Sequence, residues 1–325
     1  MPSFRAYLLK GYARLVIRRR RWGGTPEAIA RRARRLFQAP AALQRLAARG
    51  LRVSLIHDAE GVRGEWLSPP GARDGVIVYV HGGGYVAGSA AGHRPLTAAL
   101  ARATECHVFA VDYRVAPEFT CPTALDDVER AYRWLLRRVS PGTPIAVAGE
   151  SAGGGLVLAL AQRLRDATDR SASPPTCVVA LSPWTDLTVA GASVAANDGR
   201  CDMLRRENPV EFGALYLGGR SPSDREASPL FNGGHGLPPT LMQVGSRELL
   251  LDDARRMHDL IVAAGGECRI ELFDRMPHAW HVMAPVVPEA ARAVRRIAAY
   301  IDEQFTRRRR TVRVDPQRRE PSPLA

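Results

Sequence analysis

The sequence lacks long apolar runs and paired cysteines. No apolar stretch approaches the ~20 residues that a membrane-spanning helix needs, and residues 1–21 interrupt their short apolar stretches with Arg instead of forming a signal-peptide core. The five cysteines are odd in number and widely spaced, without CxxC or Cys/His ligand spacing. We therefore expect no disulfide framework and no metal site, and we predict a reducing, cytoplasmic compartment.

Acidic residues are scarce at both ends of the chain. The 325 residues include 46 basic and 33 acidic groups, a net charge of +13. Residues 1–52 carry 14 basic groups and one acid, and residues 307–325 carry seven Arg against two acids, which leaves −5 for the segment between. A nucleic-acid-binding protein is expected to carry its basic stripe on the folded body. The charge distribution therefore predicts no nucleic-acid partner.

Between the two basic ends, apolar runs alternate with stretches of helical periodicity. Two strands, at 51–57 and 62–67, come first. Alternation of this kind predicts a mostly parallel sheet with helices on both faces, the α/β class. The further strands are predicted at 76–80, 106–111, 145–148, 177–181, 240–244 and 268–273, and the helices at 93–104, 123–139, 152–165, 252–264 and 288–305.

One segment interrupts this alternation. Residues 187–238 are rich in Gly, Pro, Ser and Asn and contain no clear apolar strand. A structureless loop of that length is uncommon in a compact domain, so we predict an inserted cap with short helices, one of them at 205–217. The insertion belongs to a single α/β domain over residues 53–306.

The two basic ends are predicted to differ. Residues 307–325 contain RRRR and several prolines and are expected to form a disordered tail. Residues 1–52 form a basic helical arm in which Phe4, Tyr7 and Leu8 stand among arginines. Two interpretations of the arm compete: helices that pack on the cap with their arginine heads in water, or an amphipathic segment in peripheral contact with an anionic membrane. The sequence leaves open whether the chain forms a homodimer.

The sharpest chemical signal is GESAG, centred on Ser151. It lies between the strand predicted to end at Ala148 and the next helix. A nucleophile at such a strand-to-helix turn sits on a strained backbone with its hydroxyl exposed, and the chain folds so tightly that the flanking positions must be glycine. Gly149 and Gly153 meet that requirement. We therefore predict Ser151 as a nucleophile rather than part of a merely close-packed turn.

A glycine-rich loop, HGGGY, begins at His81, directly after a predicted strand. Acyl transfer builds negative charge on a carbonyl oxygen, and a run of glycines lets backbone N–H groups approach that oxygen closely. The spacing from Gly82 also satisfies the loose GxGxxA dinucleotide-binding pattern. That pattern needs an acid at the end of a strand, whereas Glu105 precedes one, so we favour an oxyanion-stabilising loop. His81 is expected to support the loop by hydrogen bonds.

A serine nucleophile in this context needs a histidine base later in the chain. His258 falls inside a predicted helix. His278 follows the last predicted strand, where a base can reach across the top of the sheet. We predict His278 as the base and His281 as a residue that packs or hydrogen-bonds beneath the loop.

The carboxylate that orients this base is expected between Ser151 and the histidine, just after the strand at 240–244. Glu248 is the first acid there. Asp252 and Asp253 stand at a predicted helix start, where capping and the helix dipole already account for an acid. We therefore favour Glu248, with Asp252 as the alternative.

At this point the chain resembles a known family, the hormone-sensitive-lipase family of α/β-hydrolases, which includes the bacterial family IV esterases. The resemblance covers about residues 50–305. It is carried by HGGGYVAG (81–88), DYRVAPE (112–118), ALDD (124–127), GESAGG (149–154), SPWTDL (182–187), VGSRELLLDD (244–253) and MPHAWH (276–281).

The resemblance implies an α/β-hydrolase fold and a serine carboxylic-ester hydrolase that acts on short to medium acyl esters, with no metal and no other cofactor. It implies Ser151 as nucleophile, His278 as base, and Gly82, Gly83 and Ala152 as the oxyanion donors. The arm of residues 1–52 would then contribute to the cap.

Four aromatic residues near the motif loops are candidates for an apolar substrate pocket: Tyr85, Trp184, Phe231 and Trp280. A lactone hydrolase or an N-acetyl deacetylase would use the same catalytic residues, so the sequence does not separate these activities from ester hydrolysis. The non-enzymatic alternative is a polyanion- or membrane-binding protein with an inert hydrolase body. The joint presence of a serine, a histidine, a carboxylate and the glycine loop argues against it.

Overall fold

A mixed eight-stranded sheet forms the centre of the fold in the computed structural model, which describes residues 2–20, 22–169 and 172–314. The strand order is β1-β2-β4-β3-β5-β6-β7-β8; β2 pairs antiparallel with both β1 and β4, and all the other neighbouring strands are parallel. The predicted strands and the α/β class are therefore confirmed. The strands are β1 Arg52–His57, β2 Arg63–Ser68, β3 Arg73–Val80, β4 Cys106–Val111, β5 Ile145–Glu150, β6 Cys177–Leu181, β7 Thr240–Gly245 and β8 Cys268–Phe273.

Helices cover both faces of this sheet. Along β3 the side chains alternate: Val76, Val78 and Val80 join the core beneath α5, α6 and α9, whereas Ile77 and Tyr79 join the core beneath α4 and α10. Because alternate side chains enter two apolar cores on opposite faces of the sheet, the strand appears in the sequence as a continuous apolar run. The helices are α1 Phe4–Tyr12, α2 Pro26–Leu36, α3 Ala41–Ala48, α4 Ala90–Thr104, α5 Thr123–Leu136, α6 Ala152–Asp166, α7 Ala192–Asn197, α8 Glu207–Leu217, α9 Leu251–Ala263 and α10 Pro288–Val314.

The carboxyl ends of the parallel strands meet at one edge of the sheet. The loops after β3, β5, β7 and β8 carry, in turn, the glycine loop, Ser151, Glu248 and His278. Residues far apart in sequence are therefore brought together at the edge where open α/β sheets bind their ligands.

The N-terminal arm packs against the insertion. The Trp22 ring meets the Phe212 ring edge-on with centroids 5.1 Å apart. Arg205 Nε donates to the Arg18 carbonyl oxygen at 2.7 Å, and the Lys10 ammonium lies 3.6 Å from Asp202. The arm and the insertion, with its helices α7 and α8, therefore form one layer above the carboxyl edge of the sheet.

The last helix is longer than predicted. It continues to Val314 instead of ending at 305, so the first part of the predicted disordered tail, residues 307–314, is helical. The Arg307 guanidinium forms an ion pair with Glu267 at 2.9 Å. This contact between the tail and the body of the protein could not be predicted from the run of arginines. Residues 315–325 of that tail, and Met1 and Arg21 of the arm, lie outside the described residues.

None of the helices within residues 2–20, 22–169 and 172–314 combines the length and the apolar content needed to cross a bilayer. All five cysteines are free thiols, and four of them are buried: Cys106, Cys121, Cys177 and Cys201.

Candidate active site

Strand β5 runs directly into α6, and Ser151 occupies the turn between them. Its backbone has φ 56° and ψ −120°, a region that residues with a side chain rarely adopt. The Ser151 N–H donates to Leu181 O at 2.9 Å, and its carbonyl accepts from the Trp184 N–H at 3.0 Å. A β-carbon at Gly149 or Gly153 would overlap backbone carbonyl oxygens. The predicted need for glycine on both sides of the serine is confirmed.

Ser151, His278 and Glu248 lie in one hydrogen-bonded chain. The Ser151 hydroxyl is 2.8 Å from His278 Nε2, and His278 Nδ1 is 2.6 Å from Glu248 Oε2. The other carboxylate oxygen, Oε1, accepts from the Ser182 hydroxyl at 2.8 Å and from the Gly245 N–H at 2.6 Å. Because a carboxylate accepts at Nδ1, the imidazole carries its proton there, and Nε2 is left as an acceptor for the serine.

The acids next along the chain are engaged elsewhere. Asp252 Oδ2 accepts from the Ser193 N–H at 2.7 Å. Asp253 Oδ2 accepts from the N–H groups of Thr185 and Asp186 at 2.8 and 2.9 Å. Both carboxylates therefore hold the start of the insertion, and the geometry favours Glu248 over Asp252 as the partner of the histidine.

The glycine loop after β3 requires one correction. The Gly82 N–H donates to Glu150 Oε1 at 2.6 Å, so it is not free to bind an oxyanion, and the prediction of Gly82 as a donor is wrong. In the part of the chain that the structure describes, the N–H groups of Gly83, Gly84 and Ala152 donate to no other residue. Gly83 and Gly84 also line the cavity above Ser151. Ala152 is the first residue of α6, where backbone N–H groups have no intrahelical partner.

A buried ion pair supports this loop from below. Glu150 accepts from the Tyr79 hydroxyl as well as from the Gly82 N–H, and its Oε1 lies 2.9 Å from His93 Nε2. Burial opposes protonation of His93, but the Glu150 carboxylate outweighs it and raises the pKa of His93 above its ordinary value. Burial likewise opposes ionisation of Glu150, yet His93 holds the pKa of Glu150 below its ordinary value. Each partner therefore favours the charged form of the other, and the pair holds the backbone that precedes the free N–H groups.

The remaining histidines near the site are structural. Burial lowers the pKa of His81 to about 3, and its ring stacks on Tyr113 with centroids 4.2 Å apart. Its Nδ1 lies 2.8 Å from the Gly82 carbonyl oxygen, which agrees with the expected support of the loop. His281 is buried beside Gln243, at 3.0 Å, and burial lowers its pKa to about 3 as well. Neither ring is hydrogen-bonded to Ser151, and a pKa of about 3 makes each of them too weak a base to take the serine proton.

A cavity of about 630 Å³ opens directly above Ser151 and His278. Its volume lies within the range of about 300–1,000 Å³ that is usual for small-molecule sites. The walls of the cavity are mostly apolar and come from both the arm and the insertion, including Leu9, Ile17, Phe37, Met203, Leu204 and Phe212.

Within residues 2–20, 22–169 and 172–314, no group of three or more His, Cys, Asp or Glu side chains is placed to hold a metal ion.

Two of the four predicted pocket aromatics lie elsewhere. Trp184 and Trp280 line the cavity. Tyr85 does not, because its ring is buried face to face against Tyr216, with centroids 3.8 Å apart. Phe231 does not either, because it lies half-exposed in the turn Pro229–Asn232, which packs against α6 and α9.

Ser182 is a site residue that the sequence did not identify. Besides donating to Glu248, its hydroxyl accepts from the Ala279 N–H at 3.2 Å, which links the acid loop to the histidine loop. Ser182 is the residue directly after β6 and has a positive φ of 44°. Two signals in the sequence pointed to it: its place at the carboxyl end of a predicted parallel strand and its position as the first residue of the SPWTDL motif.

Asp253 gives the protein a pH-dependent stability. Burial raises the pKa of Asp253 to about 7, despite its bond from the Thr185 N–H. The folded state therefore keeps a proton that the unfolded state has lost between about pH 4 and 7, so this group's contribution to stability falls as pH rises through that window. The free energy of unfolding of the wild type should fall from pH 5 to pH 8 relative to that of Asp253→Asn, by on the order of a few kcal/mol. Urea unfolding of both proteins at pH 5 and at pH 8 measures this difference. A difference that stays the same at the two pH values would contradict the raised pKa of Asp253.

A family model described as alpha/beta hydrolase fold matches residues 77–282. An acetyl-hydrolase of Streptomyces hygroscopicus is 39% identical to the chain over 237 residues, which cover 73% of this chain and 78% of that protein. An esterase of Acinetobacter venetianus strain RAG-1 is 34% identical over 242 residues, which cover 74% of this chain and 78% of that protein.

A solved structure is similar over nearly its whole length. It is a crystal structure of an esterase from the bacterial hormone-sensitive lipase family, 36% identical, with a TM-score of 0.83. The match covers 94% of this chain and 99% of that one. It therefore includes most of the N-terminal arm and the insertion as well as the sheet.

Proposed function

Since this chain belongs to the hormone-sensitive-lipase family of α/β-hydrolases and is an ester-hydrolysing enzyme, we propose that it cleaves carboxylic esters through Ser151, His278 and Glu248. The observation that carries the proposal is the unbroken chain of hydrogen bonds from the Ser151 hydroxyl through both ring nitrogens of His278 to Glu248. This is the arrangement that activates a serine hydroxyl for acyl transfer.

The first half of the reaction forms an acyl-enzyme. His278 Nε2 takes the Ser151 proton while Ser151 Oγ attacks the ester carbonyl carbon. Glu248 stabilises the imidazolium and holds the tautomer. The imidazolium then gives its proton to the departing alcohol oxygen, and the acyl group stays on Ser151. In the second half, a water molecule loses a proton to His278 and attacks the acyl carbon; the bond from that carbon to Ser151 Oγ then breaks, His278 returns the proton to Oγ, and the acid leaves.

The former carbonyl oxygen carries the negative charge of the tetrahedral intermediate, and the N–H groups of Gly83, Gly84 and Ala152 stabilise it by donating hydrogen bonds. Their lack of another partner within the described chain supports this assignment, and so does the position of the two glycines on the cavity wall. The Glu150–His93 pair acts as a positioning element, because it holds the Gly82 N–H and with it the start of the loop.

Esters of short to medium acyl chains are the proposed substrates. The cavity is large and mostly apolar, which supports an acyl chain longer than acetate. The Streptomyces relative is an acetyl-hydrolase, which supports the short end of the range. Lactones and N-acetyl amides meet the same catalytic groups and are the competing substrates.

A panel of p-nitrophenyl esters from acetate to palmitate, with a lactone and an N-acetyl amide, tests the substrate class. We expect kcat/KM to be highest for a short or medium chain and lower for palmitate, because the cavity encloses only about 630 Å³. The lactone and the amide should be turned over more slowly than the best ester. Faster hydrolysis of either one would reassign the activity to that class.

A further inference from the structure

The first helix has its large apolar side chains on the outside. Small or paired residues face the protein: Ala6 and Ala13 are buried, and Lys10 is buried in its ion pair with Asp202. The opposite side is an apolar stripe at spacings of three and four residues, continued by the helical turns Ala13–Arg18. We name this stripe the outer face; it consists of Phe4, Tyr7, Leu8, Tyr12 and Leu15, all exposed, with Phe4 76% and Leu15 58% exposed.

Basic groups flank the outer face, and acidic ones are missing. Residues 2–20 contain no Asp or Glu, and Arg5, Arg14, Arg19 and Arg20 are all exposed. Arg14 shares Asp202 with Lys10 at 3.2 Å, whereas neither Arg19 nor Arg20 forms an ion pair with any residue of the described ranges. An exposed apolar stripe with basic flanks is the pattern of a helix that lies in the headgroup region of an anionic membrane.

The outer face also borders the mouth of the cavity. Leu8 and Tyr12 belong both to the outer face and to the cavity lining. Arg5 lines the cavity as well, and it donates to the Val286 carbonyl oxygen at 3.3 Å. A bilayer on the outer face would therefore place its ester groups beside the opening that leads to Ser151.

We propose that the outer face docks on an anionic lipid bilayer and turns the cavity mouth toward it. A second copy of this chain, packed face to face about a two-fold axis, would bring arginines against arginines without acids to neutralise them. A nucleic acid would satisfy the arginines but leave Phe4 and Leu15 in water. An anionic bilayer neutralises the basic flank and buries the apolar stripe in one contact.

Sedimentation with vesicles tests the docking independently of catalysis. The full chain carrying Ser151→Ala, which cannot consume the lipid, is mixed with vesicles of phosphatidylcholine alone or of equal parts phosphatidylcholine and phosphatidylglycerol. We expect binding to the mixed vesicles, little binding to the neutral ones, and loss of binding as salt is raised. Because turnover is not the readout, failure here leaves the proposed function untouched, and failure of that function leaves this result untouched.

Two double variants divide the surface into its apolar and basic parts. Phe4→Ser with Leu15→Ser and, separately, Arg19→Glu with Arg20→Glu should each weaken binding to the mixed vesicles by about tenfold or more. None of these four residues lines the cavity. When the same double variants are made in the active protein, with Ser151 in place, they should therefore keep the wild-type kcat/KM for p-nitrophenyl acetate. That activity also verifies that they fold.

Two control variants carry the same kinds of substitution, apolar to serine and arginine to glutamate, outside the arm. Leu55→Ser removes an apolar side chain that is 79% exposed on β1, at the edge of the sheet. Arg308→Glu with Arg310→Glu repeats the charge reversal near the far end of α10, whose first residues contact the arm. Both controls should bind like the parent. Equal losses in arm and control variants, no binding to the mixed vesicles, or a dimer that Phe4→Ser with Leu15→Ser dissociates would each overturn the proposal.

Discussion

Replacement of Ser151 by alanine is expected to lower kcat for p-nitrophenyl butyrate by about 10⁶-fold, to the level left by substrate binding and the oxyanion donors. The substitution removes the hydroxyl that lies 2.8 Å from His278 Nε2. It removes one oxygen atom at a position where the backbone is held by bonds to Leu181 and Trp184. The loss should therefore appear in kcat and leave the thermal unfolding midpoint almost unchanged.

Labelling by a fluorophosphonate supplies the second measurement for Ser151. The reagent reacts with a serine only when a base and an oxyanion site are assembled around it. The wild type should be labelled at Ser151 alone, and Ser151→Ala should not be labelled. Retained ester turnover in the alanine variant, or label on another serine, would refute the assigned nucleophile.

Most of the fold could be predicted because the sheet is buried on both faces. The strands inside the sheet must then be almost wholly apolar, and this makes β3 to β7 visible as short apolar runs between helical segments. The residues at which strands and helices begin and end were predicted less accurately. Strand β3 begins at Arg73 rather than Val76, because Arg73 also pairs with β4, at Cys106, and a register irregularity separates this pair from the pairs that begin at Val76. Helix α10 continues past its apolar period to Val314, and Arg307 in this extension pairs with Glu267, the residue before β8.

The positions of Ser151 and His278 could be predicted because each follows a strand and carries a side chain with one evident chemical use. The resemblance implied Gly83 and Ala152 among the oxyanion donors, but it also implied Gly82, whose N–H is taken by Glu150. The complete set could not be predicted, because a backbone N–H leaves no trace in the sequence. The HGGG motif contains three consecutive glycines, and which N–H groups are free depends on Glu150, 68 residues later, whose carboxylate takes that of Gly82. The prediction of Tyr85 as a pocket residue was wrong for a similar reason, since Tyr85 stacks on Tyr216, a partner that only the fold supplies.

The arm shows the limit of composition as a guide. Its charge and its apolar residues were both evident, but two interpretations of them remained. The structure shows the arm packed on the protein through Ala6, Lys10 and Ala13, with Lys10 paired to Asp202 of the insertion, and its larger apolar side chains exposed. Helical periodicity gives the two faces of such a helix, but it does not say which of them the protein covers.

Replacement of Glu248 by glutamine is expected to lower kcat by about 10⁴-fold while the fold stays intact. The orientation of the new amide is determined by its neighbours. Oε1 accepts from the Ser182 hydroxyl and from the Gly245 N–H, and only the glutamine oxygen can accept from the backbone N–H. The amide nitrogen must then occupy the place of Oε2, 2.6 Å from His278 Nδ1.

In that position the amide donates to Nδ1 and forces the imidazole proton onto Nε2, where it faces Ser151. A protonated Nε2 cannot take the serine proton, so the base is present but in the wrong tautomer. Asp252→Asn makes the same carboxylate-to-amide change four residues later, where the oxygen accepts from the Ser193 N–H, and it should change kcat by less than about tenfold. If Asp252→Asn instead lost more activity than Glu248→Gln, Asp252 would replace Glu248 as the acid. The prediction therefore depends on the bonds to Ser182 and Gly245, which decide how the amide at position 248 is oriented.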